Sequence, residues 1–596
     1  MDMLAPRHGA RLQKHGAPLQ TPLQQEAITQ FSLWAPDADA VAVKLDNGQL
    51  HDLQPLADGW FSRLVPCGTG TGYQFVINDH LKVPDPASHA QLDDVLGMSC
   101  VVDHTSYVWQ TRDWRGRPWH EAIIYEVHVG LLGGFAEAEV ILPHLAELGI
   151  TAIELMPLNE FPGARNWGYD GAEIFAPESS YGTPDELKHL IDTAHSLGLM
   201  VIIDVVYNHF GPEGNFLGQY AKGFFREDIQ TPWGAAIDFR RREVRDFFCE
   251  NALMWLEDYR ADGLRLDAVH AISEKDFLVE LAERVSSAIP SNRHIHLILE
   301  NEANNASLLE QGFTAQWNDD GHNILHHLLT GEKEGYYSEF MESPTTKLAR
   351  FLREGFIFQG EASRHGHTRG EPSGHLPPTA FVLFLQNHDQ VGNRAFGERL
   401  IALTDEDSLK VAVILLLLSP MVPLLFMGEE WGTRQPFFYF TDHHDELAKA
   451  VCEGRRNEFR EFELFSHPEM REKIPDPNDP QTYVNSMIDY RERHEPGHEA
   501  WWHFYHTLLE LRHRWIIPYL PDTRVEKVTV LAERSVSATW RLGNGSQLRI
   551  DINLADNPVK LESPPGPRRQ LFSHRVDNDH WHEGILPSRS AMVSLD

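Results

Sequence analysis

Eight short apolar runs, each bounded by polar or turn-forming residues and separated by helix-length segments, constrain this chain more than any other feature. They stand near Ile123–Val129, Ala152–Leu155, Met200–Val206, Gly263–Leu266, His296–Leu299, Ala315–Trp317, Phe381–Leu385 and Val422–Phe426. Runs without polar alternation read as strands buried on both faces, such as those of a parallel sheet. The segments between them carry helical periodicity, clearest at Glu186–Leu197, Glu243–Tyr259, Phe277–Ala288 and Trp502–Arg512. Strand and helix in alternation make βα units, and eight such strands predict a closed (β/α)8 TIM barrel in an α/β protein.

The barrel does not use the whole chain. At 596 residues, two or three domains are expected. Residues 1–27 are polar and without periodicity, and are expected to be mobile. Residues 28–102 change to short alternating segments (FSLWAP, AVAVKL, GWFSRLV, GYQFVIN) with Pro, Gly and Asp turns, which predicts a small antiparallel β-sandwich. The barrel is assigned to residues 103–516, with long connections at 210–239 and 427–499 of the kind that carry substrate contacts or small subdomains. Alternation returns in VEKVTVLAER, SVSATWRL and SQLRIDINL, so residues 517–596 are assigned to a C-terminal β-domain.

Composition removes several function classes. With 52 basic against 87 acidic residues, the net charge of −35 argues against nucleic acid or an anionic membrane as partner. Four scattered cysteines, Cys67, Cys100, Cys249 and Cys452, show neither disulfide-framework nor metal spacing and suit a reducing compartment. The first twenty residues lack an export signal. The apolar stretch Val411–Met427 is broken by Ser419-Pro420 and Pro423, and reads as a buried helix followed by a buried strand rather than a membrane span. A cytoplasmic protein is expected.

Three of the runs end on acids: Asp267 after Gly263–Leu266, Glu300 after His296–Leu299, and Asp389 shortly after Phe381–Leu385. Residues at the C-terminal ends of barrel strands face the active-site mouth. Three acids converging there suit glycosidic-bond chemistry, with Asp267 as nucleophile, Glu300 as general acid/base and Asp389 as transition-state stabiliser. Strand parity puts Arg265 on the same face as Asp267, where its charge keeps that carboxylate ionised. Asp204 interrupts the preceding apolar strand and should pair with Arg265, because an unpaired charge inside a barrel is costly. His209 and His388 lie beside strand ends with hydrogen-bonding capacity for sugar hydroxyls.

The segments DVVYNH (204–209), GLRLDAVH (263–270), LILEN (297–301) and QNHDQ (386–390) resemble the four sequence regions of the α-amylase superfamily, glycoside hydrolase family 13, in their order. YNHFGPEGNF, TPWGAAIDF, QWNDDGHN and the run from Arg369 to Leu400 are similar to its trehalose-releasing members. That resemblance implies a retaining glycosidase that cleaves the α-1,4 bond adjacent to the terminal trehalose of maltooligosyltrehalose, in trehalose biosynthesis. It also implies an N-terminal immunoglobulin-like β-sandwich, maltooligosyltrehalose and related α-1,4-glucans as substrates, and functional pairing with a maltooligosyltrehalose synthase. Arg265, His209 and His388 match the residues that orient the sugar, and Tyr169 matches a tyrosine that stacks on it. Asp204, His270, Trp317 and Trp431 are further expected substrate contacts, and Phe437 is placed at the border of the cleft.

The segment VHVGLLGGF after the first strand is shorter than is usual in the family. Asn208 stands where many amylases bind calcium, but the trehalose-releasing members are not generally calcium-dependent, so neither metal nor cofactor is expected. His494-Glu495-Pro496-Gly497-His498 spells a zinc motif, but Pro-Gly should break the helix that motif needs. Gly68–Gly72 reads as a turn. Two alternatives stay open at this point: a glycogen branching or debranching enzyme of the same superfamily, and a non-catalytic glucan-binding protein, which would be expected to have lost one of the three acids.

Overall fold

The structure, a computed structural model, describes residues 7–13, 27–362, 366, 368–562, 564 and 568–596. A closed barrel of eight parallel strands forms its centre: β1 (Ile124–Val127), β2 (Ala152–Leu155), β3 (Met200–Val205), β4 (Gly263–Leu266), β5 (His296–Leu299), β6 (Ala315–Trp317), β7 (Phe381–Phe384) and β8 (Val422–Phe426). Each run expected from the sequence is one of these strands. β1 stops two residues early because His128 leaves the ladder and caps the one-turn helix Val129–Leu132, its Nδ1 accepting from the Leu131 amide at 3.1 Å.

The parity of the strands decides what fills the barrel. Ile124, Ala152, Ile202, Ile298, Trp317, Phe384 and Leu424 form an apolar plug in the interior. On the same inward parity, Glu126, Glu154, Asp204 and Arg265 lie one step nearer the C-terminal ends. Asp204 and Arg265 are direct register partners across β3 and β4, and Arg265 faces Ile298 on β5. An apolar floor thus carries a layer of ionisable side chains, and Asp267, Glu300 and Asp389 follow the C-terminal ends of β4, β5 and β7.

Around the barrel, the stretch Val411–Met427 divides as its sequence predicts. The helix Glu406–Leu418, capped by Asp405 and wholly apolar from Val411 onward, ends at Ser419, and β8 follows. Among the described residues no helix is long and apolar enough to cross a membrane. The segment Glu243–Tyr259 is not one regular helix. Helix Arg242–Leu253 continues as a π turn over Met254–Asp258 and stops at Arg260, whose φ is 57°. The connection 210–239 carries a hairpin, Phe225–Thr231 with Gly234–Ile237, and 427–499 carries helix Asp445–Glu458 and shorter helical turns. Pro496 does not break a helix; it starts Pro496–Trp515 at the first-turn position, where a proline costs nothing. His494 therefore lies before the helix and His498 within it, so the two do not share a helical face.

Two sheets precede the barrel. One is Arg11–Leu12, Ile28–Trp34, Trp60–Pro66 and Gln54–Pro55; the other is Leu50–Asp52, Val41–Leu45, Gly72–Ile77 and Leu81–Val83, with Ser99–Cys100 added. Part of the stretch expected to be mobile is anchored instead. Arg11 pairs with Gln30, and the buried His8 ring packs on Trp60 and Phe247 and bonds to Glu250. A two-residue strand and one ring leave no periodicity to read, which is why the sequence gives no sign of this anchor. Residues 1–6 and 14–26 of that stretch lie outside the described residues. At the other end, a five-stranded antiparallel sheet, Arg524–Ala532 to Arg569–His574, packs on helices Pro344–Glu354 and Glu406–Leu418.

Candidate active site

Arg265 organises the mouth of the barrel. Its side chain is 2% exposed, and Nη1 donates to both Asp204 oxygens at 2.9 and 2.8 Å and to Asp267 Oδ1 at 2.7 Å. Nη2 lies 3.8 Å from Glu300. The guanidinium rests on the Trp317 ring, 4.2 Å from its centroid, so the apolar plug positions the charge from below. Asp267 also receives Asn208 Nδ2 at 2.9 Å on its other oxygen, which leaves this carboxylate held by donors on both sides.

Glu300 is in a different environment from Asp267. Its carboxyl is held well above the usual carboxylate range, first by burial, against the opposing Arg265 charge and with the negative charges of Asp267, Asp319 and Asp389 adding to it. Its Oε2 accepts from the Ala268 amide. That amide is turned toward Glu300 because Ala268 has a φ of 41°, in the left-handed region that costs a non-glycine residue about 1–2 kcal/mol. Asp389, in the first turn of the short helix His388–Gly392, is half exposed and accepts from Asn393 Nδ2 at 2.8 Å.

The remaining expected contacts divide. His388 is fixed by Glu126, which takes its backbone amide at 2.9 Å and its Nδ1. Burial opposes a charge on this imidazole, but the Glu126 carboxylate prevails and its pKa is raised. Tyr169 stacks on His388 with ring centroids 5.0 Å apart and donates to Asp204 at 2.6 Å. His209 donates from Nε2 to the Tyr169 carbonyl at 2.9 Å. Asp204 is wholly enclosed between Arg265 and Tyr169, and burial pushes its carboxyl up to about 6 despite the adjacent guanidinium. It orients its neighbours and does not face the cleft. His270, in the turn after β4, accepts the Glu302 amide at 3.4 Å.

Three aromatic expectations are corrected. Trp317 is 1% exposed because strand parity turns it into the barrel, so it is a floor under Arg265 and not a cleft wall. Trp431 is fully buried behind β8, edge-on to Tyr490, with its carbonyl taken by His498. Phe437 is likewise enclosed, stacked on Trp167 at 5.3 Å.

Other residues join the site unannounced. Trp233 at the hairpin tip remains 46% exposed and lies parallel to the His209 ring at 4.9 Å. Asp319, just past β6, faces Glu300 and Asp389 and is pushed up to about 7, by burial first. Glu126 and Glu154 interrupt apolar strands just as Asp204 does, so the same signal could have found them. Glu154 is buried, and neither carboxylate oxygen has a hydrogen-bond partner among the described residues. Burial, with the charges of Glu126 and Asp204 adding to it, raises its pKa.

Known proteins match this arrangement. The family model for the alpha amylase catalytic domain matches residues 125–233, and the domain of unknown function DUF3459 matches 523–593. The chain is 39% identical to the malto-oligosyltrehalose trehalohydrolase of Deinococcus radiodurans over 90% of its own length and 91% of the relative's. It is 36% identical to that of Rhizobium sp. strain M-11 over 90% and 92%. A crystal structure of an alpha-amylase-like protein from Salmonella typhimurium superposes with a TM-score of 0.89 at 44% identity, covering 95% of this chain and 97% of that one. With an eight-stranded barrel, acids at its C-terminal mouth and relatives of this identity along nine-tenths of its length, this chain belongs to the α-amylase superfamily, glycoside hydrolase family 13.

Proposed function

We propose that the protein is a retaining glycosidase that cleaves the α-1,4-glucosidic bond adjacent to the terminal trehalose of maltooligosyltrehalose, releasing trehalose and a maltooligosaccharide. The observation that carries the chemistry is the opposite treatment of two neighbouring carboxyls. Asp267 is bonded to Arg265 and Asn208, whereas Glu300 is buried among like charges and raised. A carboxyl bonded by two cationic or amide donors beside one raised by burial suits a nucleophile paired with a proton donor. Protonated Glu300 gives its proton to the glycosidic oxygen as Asp267 attacks the anomeric carbon. The leaving sugar departs, and a glycosyl ester forms on Asp267. Glu300, now ionised, takes a proton from water, whose oxygen displaces Asp267 and restores the starting configuration. Asp389, poised by Asn393, bonds the hydroxyls of the distorted sugar. Arg265, His209, His388 and Tyr169 orient that sugar, and Asp204 and Glu126 hold them.

The trehalose part of the reading is supported by the relatives, which carry that name over nine-tenths of this chain. With it come a cytoplasmic location, functional pairing with a maltooligosyltrehalose synthase, and an immunoglobulin-like bracing role for the N-terminal sheets. One experiment tests both parts. Proton NMR of maltotriosyltrehalose turnover should show trehalose and maltotriose whose new reducing end appears first as the α-anomer. The Asp267→Ala protein should show neither product. A first-formed β-anomer, or turnover that survives Asp267→Ala, would overturn the mechanism.

A further inference from the structure

The segment 441–444, in the connection after β8, reaches back to the loops after β2 and β3. Its own base is fixed: the Thr441 hydroxyl donates to Asn478 Oδ1 at 2.9 Å, and the His443 amide donates to the same oxygen at 3.1 Å. Asp442 pairs with Arg165 and accepts the Ala164 amide at 3.0 Å, both in the loop after β2. His443, whose side chain is 2% exposed, then lies between two carboxylates. Its Nε2 is 3.5 Å from Asp170 in the loop after β2, and its Nδ1 is 3.3 Å from Glu213 in the loop after β3. The exposed His444 ring adds a contact of 3.0 Å to the other Glu213 oxygen.

An imidazole with a carboxylate on each side is matched only as the imidazolium. The neutral ring carries one N–H, so it would turn a lone pair toward one of the two negative oxygens. The titration of the group agrees. Burial opposes a charge on His443, but Asp170 and then Glu213 prevail and raise its pKa. Burial also opposes the charges on Asp170 and Glu213, yet both are lowered, Asp170 chiefly by His443 and Glu213 chiefly by His444. Tyr439 and His209 also face Asp170, and Asp94 and Asp442 act on His444, with Arg165 paired to Asp442.

These two loops carry sugar-orienting residues. Asp170 follows Tyr169, whose ring stacks on His388 and whose carbonyl accepts from His209, and Glu213 stands four residues after His209. Asn166 donates to Asp170 at 2.8 Å. The loops meet without slack: the Gly211 amide donates to the Gly171 carbonyl at 2.8 Å, and a Cβ on Gly211 would stand 1.8 Å from the Asp170 carbonyl. A shift of Asp170 or Glu213 is therefore passed to Tyr169 and His209. We propose that His443 is a positioning residue for the reaction, its imidazolium clamping the loop of Asp170 to the loop of Glu213 and so fixing Tyr169 and His209. Without that charge, two carboxylates on neighbouring loops are left facing one space. The proposal rests on the glycosidase reading for what Tyr169 and His209 do, and its test separates the two.

Calorimetric melts of the parent and His443→Gln, from about pH 5 to about pH 9, read the clamp without reference to activity. A raised folded-state pKa stabilises fully below the ordinary imidazole range, and that contribution is lost as pH rises through the raised value. The gap in melting temperature should therefore be widest at the acid end and shrink toward the alkaline end. Glu213→Gln alone should show the same pH dependence, and serves if His443→Gln does not fold. On maltotriosyltrehalose, His443→Gln should lower kcat/KM by about tenfold, and adding Glu213→Gln, which removes one of the facing carboxylates, should bring it back to within about threefold of the parent. A melting gap independent of pH, an unchanged kcat/KM, or a double variant no faster than the single would overturn the proposal. A pH-dependent gap in protein that releases no trehalose would count against the proposed reaction and leave the clamp standing.

Discussion

Replacing Arg265 by Met removes the one cation shared by Asp204, Asp267 and Glu300 while keeping much of the side chain's volume. In the native site Nη1 makes three contacts of 2.7–2.9 Å, and Arg265 and Asp204 are each at most 2% exposed. Removing one partner of a buried ion pair costs about 3–5 kcal/mol, because the remaining charge has neither water nor counter-charge. A cooperative unit of roughly 400 residues unfolds with an entropy of about 0.8 kcal/mol/K, so a loss of about 4 kcal/mol lowers the melting midpoint by about 5 °C. The effect should depend on pH. Burial pushes the Asp204 carboxyl up to about 6 in the folded state, above its ordinary value. Its contribution to stability is therefore present at low pH and is lost as pH rises through 6. Without Arg265 its carboxyl rises further, and the loss extends to higher pH. The gap between variant and parent should be small below pH 6 and widen as pH rises above it. Calorimetric melts across that range measure this, and kcat should fall by about 10²–10³, the size of a lost preorganised charge. Arg265→Lys should recover stability more than rate, because one ammonium cannot span both carboxylates. A variant that melts with the parent at every pH would refute this account of the charged layer.

Three further outcomes are expected. Asp319→Asn removes a negative charge facing Glu300, which shares that space with Asp267, Asp389 and Arg265, so the alkaline limb of kcat/KM should move to lower pH; an unmoved limb would separate Asp319 from the acid. Trp233→Ala removes the exposed ring stacked on His209 and should raise KM by up to about tenfold with a smaller change in kcat, the size of an aromatic pair of about 0.5–1.5 kcal/mol. Ala268→Gly relieves the left-handed strain of about 1–2 kcal/mol but adds unfolded-chain freedom worth about 0.4–1 kcal/mol, so denaturant unfolding should show a net gain of about 0.5 kcal/mol.

The barrel was legible because each of its strands is buried on both faces, which leaves apolar runs without regular polar alternation in the sequence. The Asp204–Arg265–Asp267 contacts were legible for a related reason: parity and strand adjacency fix which side chains meet before any coordinates are known. The same rule, applied to Glu126 and Glu154, would have revealed the whole charged layer. The tryptophans were not legible in this way. Trp317 and Trp431 flank the site in sequence, yet one turns into the barrel and the other packs behind β8. An aromatic ring suits a cleft wall and a core equally well, and only packing decides between them. The placements of Trp233 and His443 depend on how long connections fold back over the mouth, and periodicity does not encode that.

Product analysis of the purified protein on maltotriosyltrehalose, maltopentaose and an α-1,6-branched glucan in parallel tests the central claim most directly. The account predicts free trehalose and maltotriose from the first, with little action on the other two. Cleavage or rearrangement confined to the branched glucan would contradict it and place the chain among the enzymes of α-1,6 bonds.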